Sequence, residues 1–451
     1  MDDFTYEGLL QKNSEFLWNP FTQMSQYLHD TPVIIETGDG VTLTDINGKT
    51  YFDGNSSLWL NVHGHRQNEL DQALRDQLDK IAHSTLLGMA NIPAILLAEQ
   101  LVKISPDSVN KVFYSDSGAT AVEIAIKMAF AYWKRVGHPE RKKFLAFKDG
   151  YHGDTVAAMS VGGIGLYREE FGPLLFDAIH TPFPYAYGFD GSAEECVSLC
   201  LENLESTLNN EGDQIAAFVI EPLVQGAAGM RMMPEGFLSK ITQMAKESGV
   251  LVIADEVATG FCRTGELFAV NHEGVLPDIM AVGKGLTGGY LPLAATLVSD
   301  KIYEAFLGSP GEQKAFYHGH SFTGNQLGCA VALKNLELTE KDDLTRQVAG
   351  KSLSLSLLLN GIAELEHVGE VRQKGFMVGI ELAQSKKDRR PFPAGELTGH
   401  KVCLSCRELG LLTRPLGDVV VFLPPLTSTV EELSEMTAIL TEAIAKTTRT
   451  K

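Results

Sequence analysis

The chain has 451 residues, 44% hydrophobic and 21% charged, enough for a large buried core and about three domain-sized units by length. Its 38 basic residues against 57 acidic ones give a net charge of −19. That argues against nucleic acid as the main partner, because phosphate binding needs a basic surface. The N-terminal stretch MDDFTYEGLLQKNSEFLW has no basic region followed by an apolar run, and no run is long enough to span a bilayer, so neither secretion nor a membrane partner is expected.

In chain order, residues 33–53 come first, with alternating residues and Gly-Asp-Gly and Asn-Gly turns that predict a short meander. Apolar β-type runs then alternate with helical stretches. The predicted strands are Val112–Ser115, Phe144–Phe147, Ile215–Glu221, Leu251–Asp255, Ile279–Gly283 and Ala294–Ser299. Several are apolar throughout, as expected of strands covered on both faces. The alternation predicts an α/β fold with a largely parallel sheet. After about residue 335 come helices, a β segment at Val368–Leu382 and another at Leu411–Pro424, with a charged, proline-bearing surface loop at Lys386–Leu397 between them. The division expected is a large central domain, residues 65–334, and a small domain assembled from residues 1–64 and 335–451.

Six cysteines are few for this length. Cys403 and Cys406 have the spacing of half a zinc or redox motif, but no second such pair accompanies them, and CLSCREL reads as a helix interior. Reduced, buried thiols in a cytoplasmic protein are the expectation. His63-Gly-His65 and His318-Gly-His320 lack a third ligand at typical spacing, so no metal site is expected.

The polar residues that end the strands carry the chemistry. Ser117 and Gly118 sit between the strand KVFY and the helical AVEIAIKMAFAYW; free amides at a helix N-terminus suit a phosphate, although an ordinary cap explains the pair equally. Tyr151 follows the strand FLAF among glycines, where it could stack on a flat heteroaromatic ring or merely cover a core edge. Glu221 ends its strand where α/β folds place ligands, although a capping or turn acid before Pro222 explains it equally. Asp255 ends another, and Lys284 stands alone in a glycine-rich loop. A lysine can bond covalently to the aldehyde of pyridoxal phosphate, and a carboxylate can keep the cofactor's ring nitrogen protonated. Arg414, braced by Pro415, could clamp a carboxylate with two parallel hydrogen bonds or lie on the surface. The joint occurrence of these groups at one sheet edge favours the cofactor reading.

Together these residues resemble the fold-type I, class III pyridoxal-phosphate aminotransferases, and the EVATGFCRTG stretch and the GKGLTGG loop are specific to that class. The similarity runs from about Leu17 to Ala445. Within the class, LWNPFTQM (from Leu17), DGNSSLW (from Asp53), Asn61-Val-His-Gly64, Tyr151-His-Gly-Asp154 and Thr413-Arg-Pro415 are most similar to the biotin-pathway members that aminate 8-amino-7-oxononanoate. The resemblance implies that Lys284 holds the cofactor and shuttles the proton, and that Asp255 pairs with the ring nitrogen. It implies that Ser117 and Gly118, with His320 and Ser321 of a partner subunit in a homodimer, bind the phosphate. Tyr151 would stack on the ring and touch substrate, Arg414 would hold the substrate carboxylate, and Leu58 and Gly319 would line the substrate. Phe21, Leu58-Trp59 and His320-Ser321 depart from the set in members that use S-adenosylmethionine and look like the branch that takes its amino group from L-lysine. Other readings of the same motifs are a general ω-amino-acid:pyruvate aminotransferase, an aminomutase, and a cofactor-binding regulatory protein without turnover.

Overall fold

The computed structural model describes residues 4–449; residues 1–3 and 450–451, at the outer limits of the two terminal segments, lie outside the described residues. Its centre is a seven-stranded sheet. The spatial order is Lys111–Ser115, Ala294–Val298, Ile279–Val282, Leu251–Asp255, Ile215–Ile220, Lys143–Phe147 and Ile179–Thr181. Four of these strands are buried at every residue, which their unbroken apolar runs dictate. One apolar cluster fills each face: Phe218, Val252 and Met280 belong to one, and Val219, Ile253 and Ala281 to the other, the alternation expected of a pleated strand. The helix Gly118–Arg135 covers the second face and is tied to the sheet by Trp133 Nε1 donating to the Ala216 carbonyl at 2.8 Å.

Ala294–Val298 runs antiparallel to both of its neighbours, and the other six strands run in one direction. The sheet is therefore mixed, with the parallel strands in the majority. Six carboxyl ends consequently open on one edge, and each predicted strand-end group from Ser117 to Lys284 is launched there.

The termini share a second, smaller construction. The meander Ile35–Asp39, Thr42–Asp45 and Thr50–Asp53 takes a fourth strand from the C-terminal part, Leu411–Leu412, parallel to the third. The segment expected as one β run at Val368–Leu382 is a hairpin, Val368–Lys374 and Met377–Leu382. It turns at Gly375, whose φ of +60° and approach to the Arg263 carbonyl, 2.4 Å from where a Cβ would sit, exclude other residues. Leu411–Pro424 likewise breaks into Leu411–Leu412, Arg414–Leu416 and Val419–Phe422, the last two folding back on each other around Gly417. Helices Leu344–Ala363, Thr398–Glu408 and Val430–Thr448 cover this layer, and Cys403 and Cys406 are buried free thiols inside the second of them.

The two layers meet at Arg372. Its guanidinium binds Glu370 at 2.7 Å and Glu381 at 2.8 Å, and it donates to the carbonyls of Gly229 at 2.6 Å and Met230 at 3.1 Å. This pins the hairpin to the turn that follows Glu221.

Candidate active site

The Asp255 carboxylate is buried at its strand end. Oδ1 accepts from the Val257 amide at 3.1 Å and Oδ2 from His152 Nδ1 at 2.7 Å. Burial pulls the His152 imidazole down, but the hydrogen bond and charge of Asp255, with Glu221 behind it, outweigh that and hold it above its ordinary pKa. His152 therefore fixes the orientation of Asp255 and partly neutralises it.

Lys284 opens a 3₁₀ turn, Lys284–Thr287, with φ of +43°, a conformation that is costly for a side-chain-bearing residue. Its Nζ lies 5.0 Å above the Trp59 ring. Burial pushes the amine below its ordinary pKa, and Asp255 and Glu221 oppose that push. That push makes the free amine, the form that acts as nucleophile and base, easier to reach.

Trp59 is held by an unusual stretch of backbone. Ser56, Ser57, Leu58 and Trp59 have φ of 45°, 55°, 131° and 68° in succession. Side chains pay for that strain: Ser56 Oγ donates to the Leu423 carbonyl at 2.6 Å, Ser57 Oγ to Asp53 at 2.7 Å, and Trp59 Nε1 to Asn55 at 3.0 Å. Leu58 projects from the same stretch and is 38% exposed.

Ser117 caps the 18-residue helix Gly118–Arg135, its Oγ accepting from the Thr120 amide at 3.3 Å. A Cβ at Gly118 would lie 2.3 Å from Val257 Cγ1, and one at Gly283 would lie 3.5 Å from the Gly118 Cα. The helix N-terminus, the loop after Asp255 and the lysine loop thus converge, and it is at Gly118 that a side chain would collide with Val257.

Tyr151 is anchored through its amide to Glu221 Oε1 at 2.9 Å, and its hydroxyl donates to Asp154 Oδ2 at 2.8 Å. Burial, then the Asp154 hydrogen bond and charge, keep that phenol protonated. Its ring is 6.4 Å from Tyr167, which is 6.2 Å from Phe21. Phe21, Asp154, Val156, Met159, Tyr167 and Leu174 line a cavity of about 380 Å³. Arg414, at the start of Arg414–Leu416, acts electrostatically on Tyr167 and so lies on this side of the site. Gly319, His320 and Ser321 lie in a separate loop. The His320 amide bonds Thr323, its ring accepts from the Phe322 amide, and the Ser321 carbonyl accepts from His83; none of these bonds reaches the Ser117 turn.

Pyridoxal phosphate fits what the chain offers: a helix N-terminus with a glycine at its first turn, a buried carboxylate already oriented by a histidine, a buried amine, and an aromatic ring over the same edge. Sequence reasoning assigned no role to His152 or Val257, and none to Trp59 as the surface under Lys284. The position of His152 directly after Tyr151 and of Val257 two residues after Asp255 is visible in the sequence, but only the fold shows what they touch.

Residues 24–444 match the family model described as aminotransferase class-III, and the chain belongs to that family. It is a pyridoxal-phosphate-dependent transaminase of fold type I. It is 52% identical to the adenosylmethionine-8-amino-7-oxononanoate aminotransferase of Anoxybacillus flavithermus over 97% of each chain, and 48% identical to that of Geobacter sulfurreducens over 96% of each. Among solved structures, the corresponding enzyme of Methanocaldococcus jannaschii superposes with a TM-score of 0.94 at 45% identity, covering 98% of this chain and 99% of the other. An (S)-enantioselective ω-transaminase from Thermomicrobium roseum has the same TM-score, 0.94, at 36% identity, covering 98% and 99%.

Proposed function

We propose that this transaminase converts 8-amino-7-oxononanoate to 7,8-diaminononanoate in biotin biosynthesis, as a cytoplasmic homodimer. The observation that carries the substrate is the cavity beside Tyr151: apolar walls from Phe21, Val156, Met159 and Leu174, one acid, Asp154, and Arg414 on the same side. That lining suits a long methylene chain with an amine at one end and a carboxylate at the other. The names of the relatives point the same way.

When bound, pyridoxal phosphate supplies the electron-withdrawing ring and the carbonyl that carry the amino group from donor to acceptor. The residues of the chain do the rest. Ser117, Gly118 and the following amides hold the phosphate, joined by His320 and Ser321 from a second copy. Asp255, oriented by His152, keeps the ring nitrogen protonated. Tyr151 covers one ring face. Lys284 Nζ takes the proton from the donor carbon and returns it, the role for which burial has tuned its amine. Arg414 orients the acceptor through its carboxylate, and Leu58 and Gly319 border it.

L-Lysine is the donor we propose. The non-hydroxylated Phe21 and the pairs Leu58-Trp59 and His320-Ser321 support it, and Asp154 offers a carboxylate for a second ammonium group. The names of the relatives specify adenosylmethionine, so the two donors are compared directly. Purified holoenzyme is mixed with either amine alone and the visible absorbance of the bound cofactor is followed. Lysine is expected to bleach it. Bleaching by S-adenosylmethionine only would overturn the donor, and bleaching by neither would overturn the biotin-pathway reading in favour of a general ω-amino-acid transaminase. Lys284→Ala is expected to abolish turnover, and near-normal activity in that variant would remove Lys284 from its role.

A further inference from the structure

Glu221 lies just beyond the strand Ile215–Ile220, beside the strand that ends in Asp255, and is buried. Both of its acceptor bonds come from backbone: Oε1 takes the Tyr151 amide at 2.9 Å and Oε2 the Gly226 amide at 3.0 Å. A Cβ on Gly226 would sit 3.0 Å from Trp59 Cζ3, so this turn is pressed against the same ring that lies under Lys284. One carboxylate therefore links the backbone of the ring-stacking tyrosine to the wall behind the lysine.

We propose that Glu221 is a positioning residue with two tasks: its two oxygens set the spacing between Tyr151 and the Trp59 wall, and its buried negative charge favours the protonated form of the Lys284 nitrogen.

The charges that face it fit this role. His152, on the loop after Lys143–Phe147, and Asp255, from the neighbouring strand, are the titratable groups that act on Glu221. Lys284 feels Glu221 and Asp255 as anions and Arg263 as an opposing cation. A buried anion bonded only through backbone amides is expensive to keep unless a cation nearby repays it. Burial pushes Glu221 up to about 7, with His152 pulling the other way, so above neutral pH it carries its charge. A neutral side chain here leaves Asp255 as the one carboxylate acting on Lys284. An isosteric amide also sets an N–H₂ against one of the two amide donors and loosens that tie.

This inference rests on Lys284 being the cofactor-holding lysine. The test compares wild-type holoenzyme with Glu221→Gln and Glu221→Asp, reading the pH midpoint of the bound cofactor's absorbance change, which reports the proton on the Lys284 nitrogen. Glu221→Gln is expected to lower the midpoint by about 1 pH unit, the scale of losing one nearby opposite charge. Glu221→Asp keeps the charge and shortens the reach, so its midpoint is expected to stay near wild type while KM for both substrates rises. An unmoved midpoint in Glu221→Gln, or an equal shift in both variants, overturns the proposal. If Glu221→Gln does not retain cofactor, the pH dependence of Lys284 acetylation is measured on apoprotein for wild type, Glu221→Gln and Glu221→Asp. A midpoint lower by about 1 unit in Glu221→Gln alone supports the proposal, and an unmoved Glu221→Gln midpoint or an equal shift in both variants overturns it. Failure of the Lys284 assignment is distinguishable: wild type would then show no pH-dependent band, or Lys284→Ala would keep it.

Discussion

In the proposed mechanism Asp255 and Lys284 carry the chemistry, and neighbours without chemistry of their own decide whether they can. The 2.7 Å bond from His152 Nδ1 is the clearest case. A hydrogen bond to a charged partner contributes about 1.5–3 kcal/mol, and its loss leaves a buried carboxylate oxygen unpaired. His152→Ala is accordingly expected to slow the single-turnover half-reaction by about 10- to 100-fold while KM for both substrates stays close to wild type. Rapid-mixing absorbance measures it, and a rate within twofold of wild type would show that Asp255 is held by Val257 alone. The strand-end positions of Ser117, Tyr151, Glu221, Asp255 and Lys284 were legible in the sequence, because each follows an apolar β run, and all five of those runs point the same way. The His152–Asp255 bond and the Lys284–Trp59 contact were not legible: they join residues 103 and 225 positions apart, and no local propensity encodes such pairs.

At the scale of elements, the buried parallel strands were the easiest to read, since a strand covered on both faces must be apolar throughout. The direction of Ala294–Val298 was hidden because its burial, like its composition, is the same whichever way it runs. The breaks at Gly375 and Gly417 were hidden inside stretches that alternate like single strands; only the positive φ at each glycine turns the chain back. The seam at Arg372 was also unreadable, as nothing in the sequence pairs an arginine with carbonyls 142 and 143 residues earlier. That seam makes a stability prediction. Arg372→Met keeps most of the side-chain volume but leaves Glu381, partly screened by solvent, and two carbonyls without their partner. Breaking such a pair costs about 3 kcal/mol. The urea midpoint followed by tryptophan fluorescence is expected to fall, while the cofactor absorbance of the folded fraction stays unchanged. An unaltered midpoint would make the seam a contact without energetic consequence.

On the scale of the whole molecule, one chain leaves two things unfinished. His320 and Ser321 themselves bond to Thr323 and His83, and their loop meets the helix Gly118–Arg135 through His318 and Lys127, away from the Ser117 end. Next to that loop Leu87, Met89, Ile92 and Ile95 are 89%, 60%, 74% and 57% exposed, and Asn91 among them donates to the Gly324 carbonyl at 2.9 Å. An apolar patch of this kind marks an interface more often than a free surface. Isologous pairing through it would carry each loop toward the other copy, which is the arrangement the phosphate assignment requires. The two assignments then stand or fall together. Sedimentation velocity of the wild type is expected to give twice the chain mass. Leu87→Asp combined with Ile92→Asp places two unpaired charges in the patch, shifts the population to single chains, and should release cofactor on dialysis because the helix N-terminus at Ser117 loses the second copy's His320 and Ser321. Single chains that retained cofactor as firmly as wild type would show that Ser117, Gly118 and the amides behind them hold the phosphate without a partner, and would leave His320 and Ser321 outside the site.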